Sequence, residues 1–392
     1  SITDGLTYYG HRLPELHGTH VYADYDTGRF WGFRFENGEV IDHRELADTT
    51  HRVVGFGEDH HGELLFLDHV AGTIHRLIPN PQPDLSRDFP RKLSDTGLFS
   101  SLSPLRPAAG VVPYGINAEP WADHAVTERL LAVPGDETVT PTAAAWTAPT
   151  DTVLVRTLSL DLIQGDPDSR RRVETQLLHF DGRQWQPYTY QWNDAQTDAV
   201  LVDDQGLDQE FRVADEDAPD GLRKQAWHFS GRAECQRCHN NWSGPPLGFN
   251  TAQLNRPQPG HSNEVSQLDA WADSGLLAAS IPDSQRPQLT DPGDETADLE
   301  QRARAWLHTN CAHCHRRHAG GAVLSHMHFD LPLDQTNMLG ARPSQGTFGI
   351  PAATVIDPGH PLRSVLFYRI SKLGGGRMPR LGSSEVDRAG TA

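Results

Sequence analysis

The feature that most restricts the fold of this chain is the placement of its four cysteines among 392 residues. All four lie in two pentapeptides of identical spacing, Cys235-Gln236-Arg237-Cys238-His239 and Cys311-Ala312-His313-Cys314-His315. Each pentapeptide places two thiols three residues apart and an imidazole directly after the second thiol. Because every cysteine of the chain belongs to this pattern, we expect the C-terminal part to hold two similar sites, each built from two thiols and one imidazole.

Two thiols and an imidazole at this spacing are the attachment signal for a c-type haem. The thiols bond the two vinyl groups on one haem edge, and the histidine then lies under the iron as its proximal ligand. A Cys₄ zinc site or two disulfides are the alternatives, since a Cys-x-x-Cys pair serves either. A histidine follows both pairs, so the pattern favours two covalent haems. Their anchors are Cys235, Cys238, Cys311 and Cys314, and their proximal ligands are His239 and His315.

The second pentapeptide has the surroundings expected of a class I cytochrome c. A helical pattern over residues 296–308 leads into Cys311, and Met378-Pro379 follows 63 residues after His315. That span suits a chain that circles the haem and returns a methionine sulfur as the distal ligand. Three glycines at 374–376 permit close backbone approach just before Met378. We therefore expect Met378 on the second iron, within an α-helical domain.

The first pentapeptide has no methionine near it. The three methionines, Met327, Met338 and Met378, all follow the second pentapeptide. The sixth ligand of the first iron is therefore a histidine, a methionine borrowed from Met327 or Met338, or no residue at all. Two imidazoles would give this iron the lower reduction potential, since Met/His ligation raises it. Candidates among the 21 histidines include His228, His261, His308, His318 and the run His326-Met327-His328.

The N-terminal part of the chain predicts β-structure. Within residues 1–78, short apolar or aromatic runs alternate with turn signals about every ten residues, as in a propeller blade. One blade cannot fold alone, because its sheet edges would stay unpaired. Further strand-like runs occupy 152–158, 173–180 and 185–192. Helical spacing begins only after residue 233, over 263–277 and 297–308.

These patterns predict a multidomain chain with a β-rich N-terminal part followed by α-helical, class I cytochrome c-like haem domains. Residues 1–80 form a propeller-blade-like β segment and 81–230 a second β-rich domain. Residues 231–292 form the first haem c segment and 293–392 the second haem c domain. The net charge of −18 repels phosphate groups, which makes nucleic acids and anionic membrane surfaces poor partners. No stretch approaches the roughly 20 apolar residues of a membrane span.

Two parts of the chain resemble known protein families. Residues 9–18, 21–32, 56–64 and 72–77 resemble the last blade of soluble quinoprotein sugar dehydrogenases of the glucose/sorbosone type. Residues 88–390 resemble a family of bacterial di-haem c-type cytochromes that are often fused behind such a propeller. The segments that carry the second likeness are Phe89-Pro90-Arg91-Lys92-Leu93, Pro113-Tyr114-Gly115-Ile116-Asn117, Val173-Glu174-Thr175-Gln176-Leu177-Leu178, Tyr190-Gln191-Trp192-Asn193-Asp194 and Arg377-Met378-Pro379-Arg380-Leu381.

The resemblance implies a six-bladed propeller that binds pyrroloquinoline quinone and passes electrons from sugars to the haems. Only one blade has a counterpart here, so the quinone is expected only in a longer parent chain. We expect this chain to be a fragment at both ends, because 384–392 is also too short for the terminal helix of a class I cytochrome. No residue of 1–78 matches a quinone-contacting position, and no catalytic residue is assigned.

The favoured function is electron transfer by an exported di-haem protein. Haem c is attached outside the cytoplasm, so we expect a periplasmic or extracellular location. The electron donor would be a redox partner protein or a fused dehydrogenase module, and the acceptor an external protein. Two alternatives stay open: a peroxidase-type haem enzyme whose first haem has an open position, and a haem-bearing filament subunit that assembles with copies of itself.

Overall fold

The computed structural model describes residues 2–25, 27–49, 51–69, 71–80, 89–142, 146–203, 205–240, 246–260, 265–317 and 324–392. The chain forms two compact units, Ser1–Phe89 and Pro90–Ala392. Of the residues that the structure describes, 34% are in strands and bridges and 16% in helices, which makes the protein β-rich. The finer division into four domains stays a prediction.

The N-terminal unit consists of two antiparallel sheets that share one core. The strands of the first sheet follow chain order: β1 (Ile2–Thr7), β2 (His20–Asp24), β3 (Arg29–Glu36) and β4 (Glu39–Asp48). The second sheet contains β5 (Val53–Glu58), β6 (Leu64–Asp68) and β7 (Thr73–Arg76). Asn37 and Gly38 join β3 to β4 with positive φ at both residues, as a tight hairpin requires. Phe30 and Phe66 meet in the core with ring centroids 4.8 Å apart.

The C-terminal unit is built on a six-stranded antiparallel sheet whose strands also follow chain order. They are β10 (Val111–Tyr114), β11 (Val126–Ala132), β12 (Val153–Asp161), β13 (Arg170–Phe180), β14 (Trp185–Trp192) and β15 (Ala199–Leu201). Two hairpins accompany the sheet: β8 (Phe99–Leu102) with β9 (Leu105–Pro107), and β16 (Leu207–Ala214) with β17 (Leu222–Phe229). The strands predicted at 152–158, 173–180 and 185–192 correspond to β12, β13 and β14.

Helices in this unit are short. They are α1 (Arg232–Cys235), α2 (Thr251–Leu254), α3 (Gln267–Asp273), α4 (Leu299–Cys311), α5 (Val365–Ile370) and α6 (Arg388–Thr391). One sheet face packs on α2 and α3 through an apolar core that contains Leu131, Leu154 and the fully buried Trp271. The 13-residue α4 begins at the N-cap Asp298, whose side chain accepts the Gln301 N–H at 3.1 Å.

The prediction of α-helical, class I cytochrome c-like haem domains is wrong. Only α4 exceeds seven residues in the described part of the chain, and its neighbours are joined by long irregular segments. Residues 331–361 show the reason, because proline or glycine recurs there every few positions and stops helix propagation. The local pattern at 297–308 does form α4. Part of the helix predicted at 263–277 lies outside the described residues, and the rest includes α3.

The C-terminal segment is fixed to the loop before β11. The buried Asp123 carboxylate accepts the backbone N–H groups of Ser384 at 2.6 Å and Glu385 at 3.0 Å. The Trp121 indole N–H donates to the Glu385 carbonyl at 3.1 Å. Burial raises the pKa of Asp123 to about 6 from its usual 3.8, against the two N–H bonds, which lower it.

This raised pKa predicts a pH-dependent stability. Because the folded state binds a proton at Asp123 more tightly than the unfolded chain, stability due to this group is present below pH 4 and is lost as the pH rises to about 6. The loss is about 3 kcal/mol for this shift. We expect the unfolding free energy of wild type, measured in urea relative to Asp123→Asn, to fall by this amount between pH 4 and pH 7. A difference that is constant or rises over this range would contradict the assignment.

Candidate functional site

The first pentapeptide begins on α1, directly after β17. The Glu234 carboxylate accepts the Gly231 N–H at 3.1 Å and lies 2.7 Å from Nε2 of His228, so the start of α1 is tied to the end of β17. Cys235 ends the helix. The N–H groups of Cys238 and His239 then both donate to the Cys235 carbonyl, at 3.1 and 2.9 Å. This single turn gathers the two thiols and the imidazole.

The second pentapeptide has the same local geometry at the end of α4. The N–H groups of Cys314 and His315 donate to the Cys311 carbonyl at 3.1 and 2.8 Å. Two side chains hold α4 in place. The Trp306 indole N–H donates to the Asp387 carboxylate at 2.7 Å, and the Asn310 side chain accepts the Trp121 N–H at 2.8 Å. Because these two backbone hydrogen bonds recur, the two motifs have the same local backbone conformation.

The two pentapeptides meet in space. The sulfurs of Cys238 and Cys314 and a ring nitrogen of His313 lie within 4.8 Å of one another. The contact between the sulfurs raises the pKa of the Cys238 thiol and lowers that of the Cys314 thiol. The four cysteines form no disulfide with one another. Nothing in the spacing of the motifs along the chain predicts that their second cysteines are neighbours.

A cavity of about 840 Å³ opens beside the first pentapeptide. Cys235, Cys238 and His239 line it, together with Ala312 and His313 of the second pentapeptide. The face of the six-stranded sheet also forms part of its lining. This volume falls within the about 300–1,000 Å³ typical of cofactor and ligand sites. The cavity is therefore large enough for an organic group and not only for a single ion.

A polar row crosses the sheet where it faces this cavity. Strand register places Arg129, Arg156, Gln176 and Thr189 side by side on β11 to β14, and all four line the cavity. Arg129 forms a two-pronged ion pair with Glu119 at 2.5 and 2.6 Å. The adjacent row, Leu131-Leu154-Leu178-Pro187, is apolar. This face of the sheet therefore carries a polar row that includes two arginines beside an apolar row.

Arg156, unlike Arg129, forms no ion pair with a described residue, although the more distant carboxylates of Glu119 and Glu174 raise its pKa. Its Nε and Nη2 are buried without a hydrogen-bond partner among the described residues. Burial, followed by the nearby Arg129 cation, lowers the Arg156 pKa to about 10. Two arginines directly opposite each other on neighbouring strands repel. A guanidinium in this position favours an anionic group inside the cavity.

Two cavity-lining histidines share an unusual feature. The Nδ1 atoms of His239 and His308 are both shielded from solvent and have no hydrogen-bond partner among the described residues. Burial lowers the pKa of each ring to about 4, so both are neutral at pH 7. Neutral imidazole is the form that binds metals. The His308 ring also contacts Phe329 and His328 edge-on, with centroids 5.0 and 5.4 Å apart.

His315 is held differently from His239. Its Nδ1 lies 2.9 Å from the Ser325 hydroxyl, and its carbonyl accepts the Met327 N–H at 2.9 Å. Burial lowers the pKa of His315, which favours the neutral ring. A bond at Nδ1 fixes the ring orientation and leaves Nε2 for a metal, as in many protein metal sites.

The three methionines occupy different environments. Met327 and Met338 are buried in the cluster that contains Cys311 and Trp306. Met378 is half-buried, and its N–H donates to the Arg369 carbonyl at 3.0 Å. Pro379, which follows it, lines the cavity. The role of Met378 as a distal ligand stays a prediction.

The histidines considered as the sixth ligand of the first iron differ in their polar partners and in whether they line the cavity. Both ring nitrogens of His228 are engaged, with Asp208 at 2.6 Å and with Glu234 at 2.7 Å. His261 and His318 lie outside the described residues. Within the run His326-Met327-His328, only His328 lines the cavity, and its Nδ1 lies 3.9 Å from the Asp330 carboxylate. His308 lines the same cavity without such a partner.

Sequence reasoning missed Arg156 and Ser325. Arg156 had a usable signal, since it is the one charged residue in the otherwise apolar or hydroxylic run Val153-Leu154-Val155-Arg156-Thr157-Leu158. A charge within a buried strand is costly unless it has a partner. Ser325 carries no such signal, because a serine in an irregular segment is ordinary, and only the fold shows that it faces His315.

No protein-family model, no curated protein and no solved structure matches this chain. In the described part of the chain, every helix is too short or too polar to traverse a lipid bilayer. The functional assignment therefore depends on the residues of the site themselves.

Proposed function

We propose that this chain is a di-haem c-type electron-transfer protein that works in the periplasm or outside the cell. The observation that carries the proposal is the meeting of the two pentapeptides. Each gathers two thiols and an imidazole in one turn, and Cys238 and Cys314 lie within 4.8 Å of each other. Groups bonded to these two sulfurs would be immediate neighbours, which is what electron exchange between two centres requires.

The residues around the first pentapeptide fit a haem. The cavity supplies the volume, the apolar row beside Leu154 supplies a floor, and His239 supplies a neutral imidazole with an unpartnered nitrogen. Haem carries two carboxylates, and the Arg156 guanidinium, which has no ion-pair partner among the described residues, offers a partner for one of them. At the second pentapeptide, Ser325 orients the His315 ring. Both donor sets thus match what the group needs.

Each haem, when bound, supplies a one-electron Fe(III)/Fe(II) couple. The chain's own work is to anchor and to tune. Cys235, Cys238, Cys311 and Cys314 supply thiols for the covalent bonds. His239 and His315 would supply proximal nitrogens, and residues of the sheet and of α4 would line the haem site. The acidic surface implied by the net charge of −18 suits partner proteins with basic docking surfaces.

Zinc is the strongest competing occupant. Cys238, His313 and Cys314 could supply three ligands of a tetrahedral site. Cys235 and Cys311 are not part of that cluster, so the Cys₄ arrangement considered from the sequence is not what the fold brings together. A zinc site here would not explain the size of the cavity, the neutral His239 ring or the buried Arg156 guanidinium. Covalent haem accounts for all of them.

The test of this function is a spectroelectrochemical titration of the purified protein with a parallel peroxide-turnover assay. We expect two reversible one-electron transitions and no turnover of hydrogen peroxide beyond free haem. Rapid peroxide turnover would instead support the peroxidase-type alternative. A chain that shows no reversible transition would contradict electron transfer. Size measurement at micromolar concentration addresses the filament alternative, for which large assemblies are expected.

Arg156 provides a quantitative check on the proposed cofactor. A buried cation favours the ferrous form, because that form carries one positive charge fewer than the ferric form. We expect Arg156→Gln to destabilise the ferrous form of the first haem, relative to the ferric form, by on the order of 1–2 kcal/mol at an effective dielectric constant near 20. The reduction potential of that haem falls accordingly. Arg183→Gln, in an exposed turn, is the control and leaves both transitions in place. An unchanged or raised potential in Arg156→Gln would count against an anion partner at this site.

A further inference from the structure

We propose that His308 is the second axial ligand at the first haem, opposite His239. This assignment rests on the proposed function and names the one ligand that the sequence leaves open. It implies that α4, which carries the second attachment site, also supplies a ligand to the first. The two haem sites would then be joined by a single rigid element.

The position of His308 on α4 is the first support. His308 lies three residues before Cys311, about one helical turn from the second attachment site. It nevertheless lines the cavity that contains Cys235, Cys238 and His239 of the first site. The helix is held by the Trp306–Asp387 and Asn310–Trp121 hydrogen bonds. The ring is therefore carried by a part of the chain that is itself fixed on both sides.

The unsatisfied ring of His308 is the second support. Its Nδ1 is shielded from solvent and has no partner among the described residues, and the same is true of His239. Nε2 of each ring has no hydrogen-bond partner among the described residues and is not shielded in this way, so it is the nitrogen that is open to the cavity. An iron between the two rings would bind Nε2 of each.

The other candidates are weaker on the same criteria. His228 already contacts two carboxylates and does not line the cavity. His328 also lines it, but it lies in an irregular segment, whereas His308 is carried on α4. Met327 and Met338 lie in the apolar cluster around Cys311 and Trp306, away from the cavity lining. Among the described candidates, His308 is the helix-borne histidine that lines the cavity and has no hydrogen-bond partner at either ring nitrogen.

The experiment compares the ferric spectra of wild type, His308→Ala, His308→Met and the control His328→Ala. Wild type is expected to be fully low-spin. In His308→Ala one of the two haems becomes high-spin, and added imidazole restores it to low-spin. In His308→Met both haems stay low-spin, but the potential of the lower transition rises, because methionine replaces an imidazole. His328→Ala is expected to keep the wild-type spectrum.

Haem content separates this inference from the proposed function. Every variant is first assayed for covalently bound haem, and two haems per chain are expected throughout. Wild type without covalent haem would overturn the function itself. Two haems with a fully low-spin spectrum in His308→Ala would overturn only the ligand assignment. A high-spin haem in His328→Ala, but not in His308→Ala, would transfer the role to His328.

Discussion

Replacement of both thiols of the second pentapeptide, C311A/C314A, is expected to reduce the covalent haem content from two per chain to one. The thioether bonds are what retain a c-type haem on the denatured protein, and the two remaining cysteines, Cys235 and Cys238, belong to the first pentapeptide. We also expect the higher-potential transition to disappear, because that transition is assigned to the haem with His315 and Met378. The pyridine haemochrome spectrum and the redox titration measure the two effects.

Matched variants make this result specific. C235A/C238A should also retain one haem, but should lose the lower-potential transition instead of the higher. His313→Ala alters the variable position between the two cysteines and should leave both haems attached. Loss of tightly bound metal in His313→Ala, with no haem in wild type, is the pattern expected of a zinc site at Cys238, His313 and Cys314. The three variants together separate the two kinds of occupant.

Met378→His is expected to lower the potential of the second haem. A thioether stabilises Fe(II) relative to a second imidazole, so its replacement shifts the equilibrium toward Fe(III). The expected decrease is on the order of 0.1 V, within the about 0.8 V that axial ligands span. The lower transition should stay where it is. A redox titration of the variant beside wild type measures both potentials in one experiment.

The other two methionines are the controls for this substitution. Met327→Leu and Met338→Leu preserve apolar volume in the cluster around Cys311 and should change neither potential by a comparable amount. If Met327→Leu or Met338→Leu lowers the upper transition and Met378→His does not, the distal ligand is one of the buried methionines. Movement of the lower transition in Met378→His would instead place Met378 on the first haem.

The elements that the sequence predicted well are those determined by short-range patterns. The strands β12, β13 and β14 and the helix α4 follow from local alternation and periodicity. Asn37-Gly38 is one of the turn signals within residues 1–78, and both residues adopt the positive φ that a tight hairpin requires. Each of these depends on contacts within about ten residues, where side-chain preference and structure are directly related.

The domain-level prediction was wrong because it extended one correct helix to a whole fold. A helix before Cys311 and a methionine 63 residues after His315 are compatible with a class I cytochrome. They do not specify it, and the prolines and glycines of 331–361 prevent the additional helices that such a domain needs. Contacts between residues far apart in the chain could not be predicted either. The Cys238–Cys314 contact and the Arg129–Arg156 row depend on tertiary packing and strand register, which pattern analysis of one chain does not supply.

The central claim is that both pentapeptides bind covalent haem, and the most direct test is the haem count of the protein matured with a c-type haem attachment system. After acid–acetone extraction, intact mass spectrometry of the denatured chain should show two added haems. The pyridine haemochrome spectrum should give the same stoichiometry and the band positions of haem bonded through two thioethers. A chain of unmodified mass that contains tightly bound zinc and has no Soret band would contradict the account.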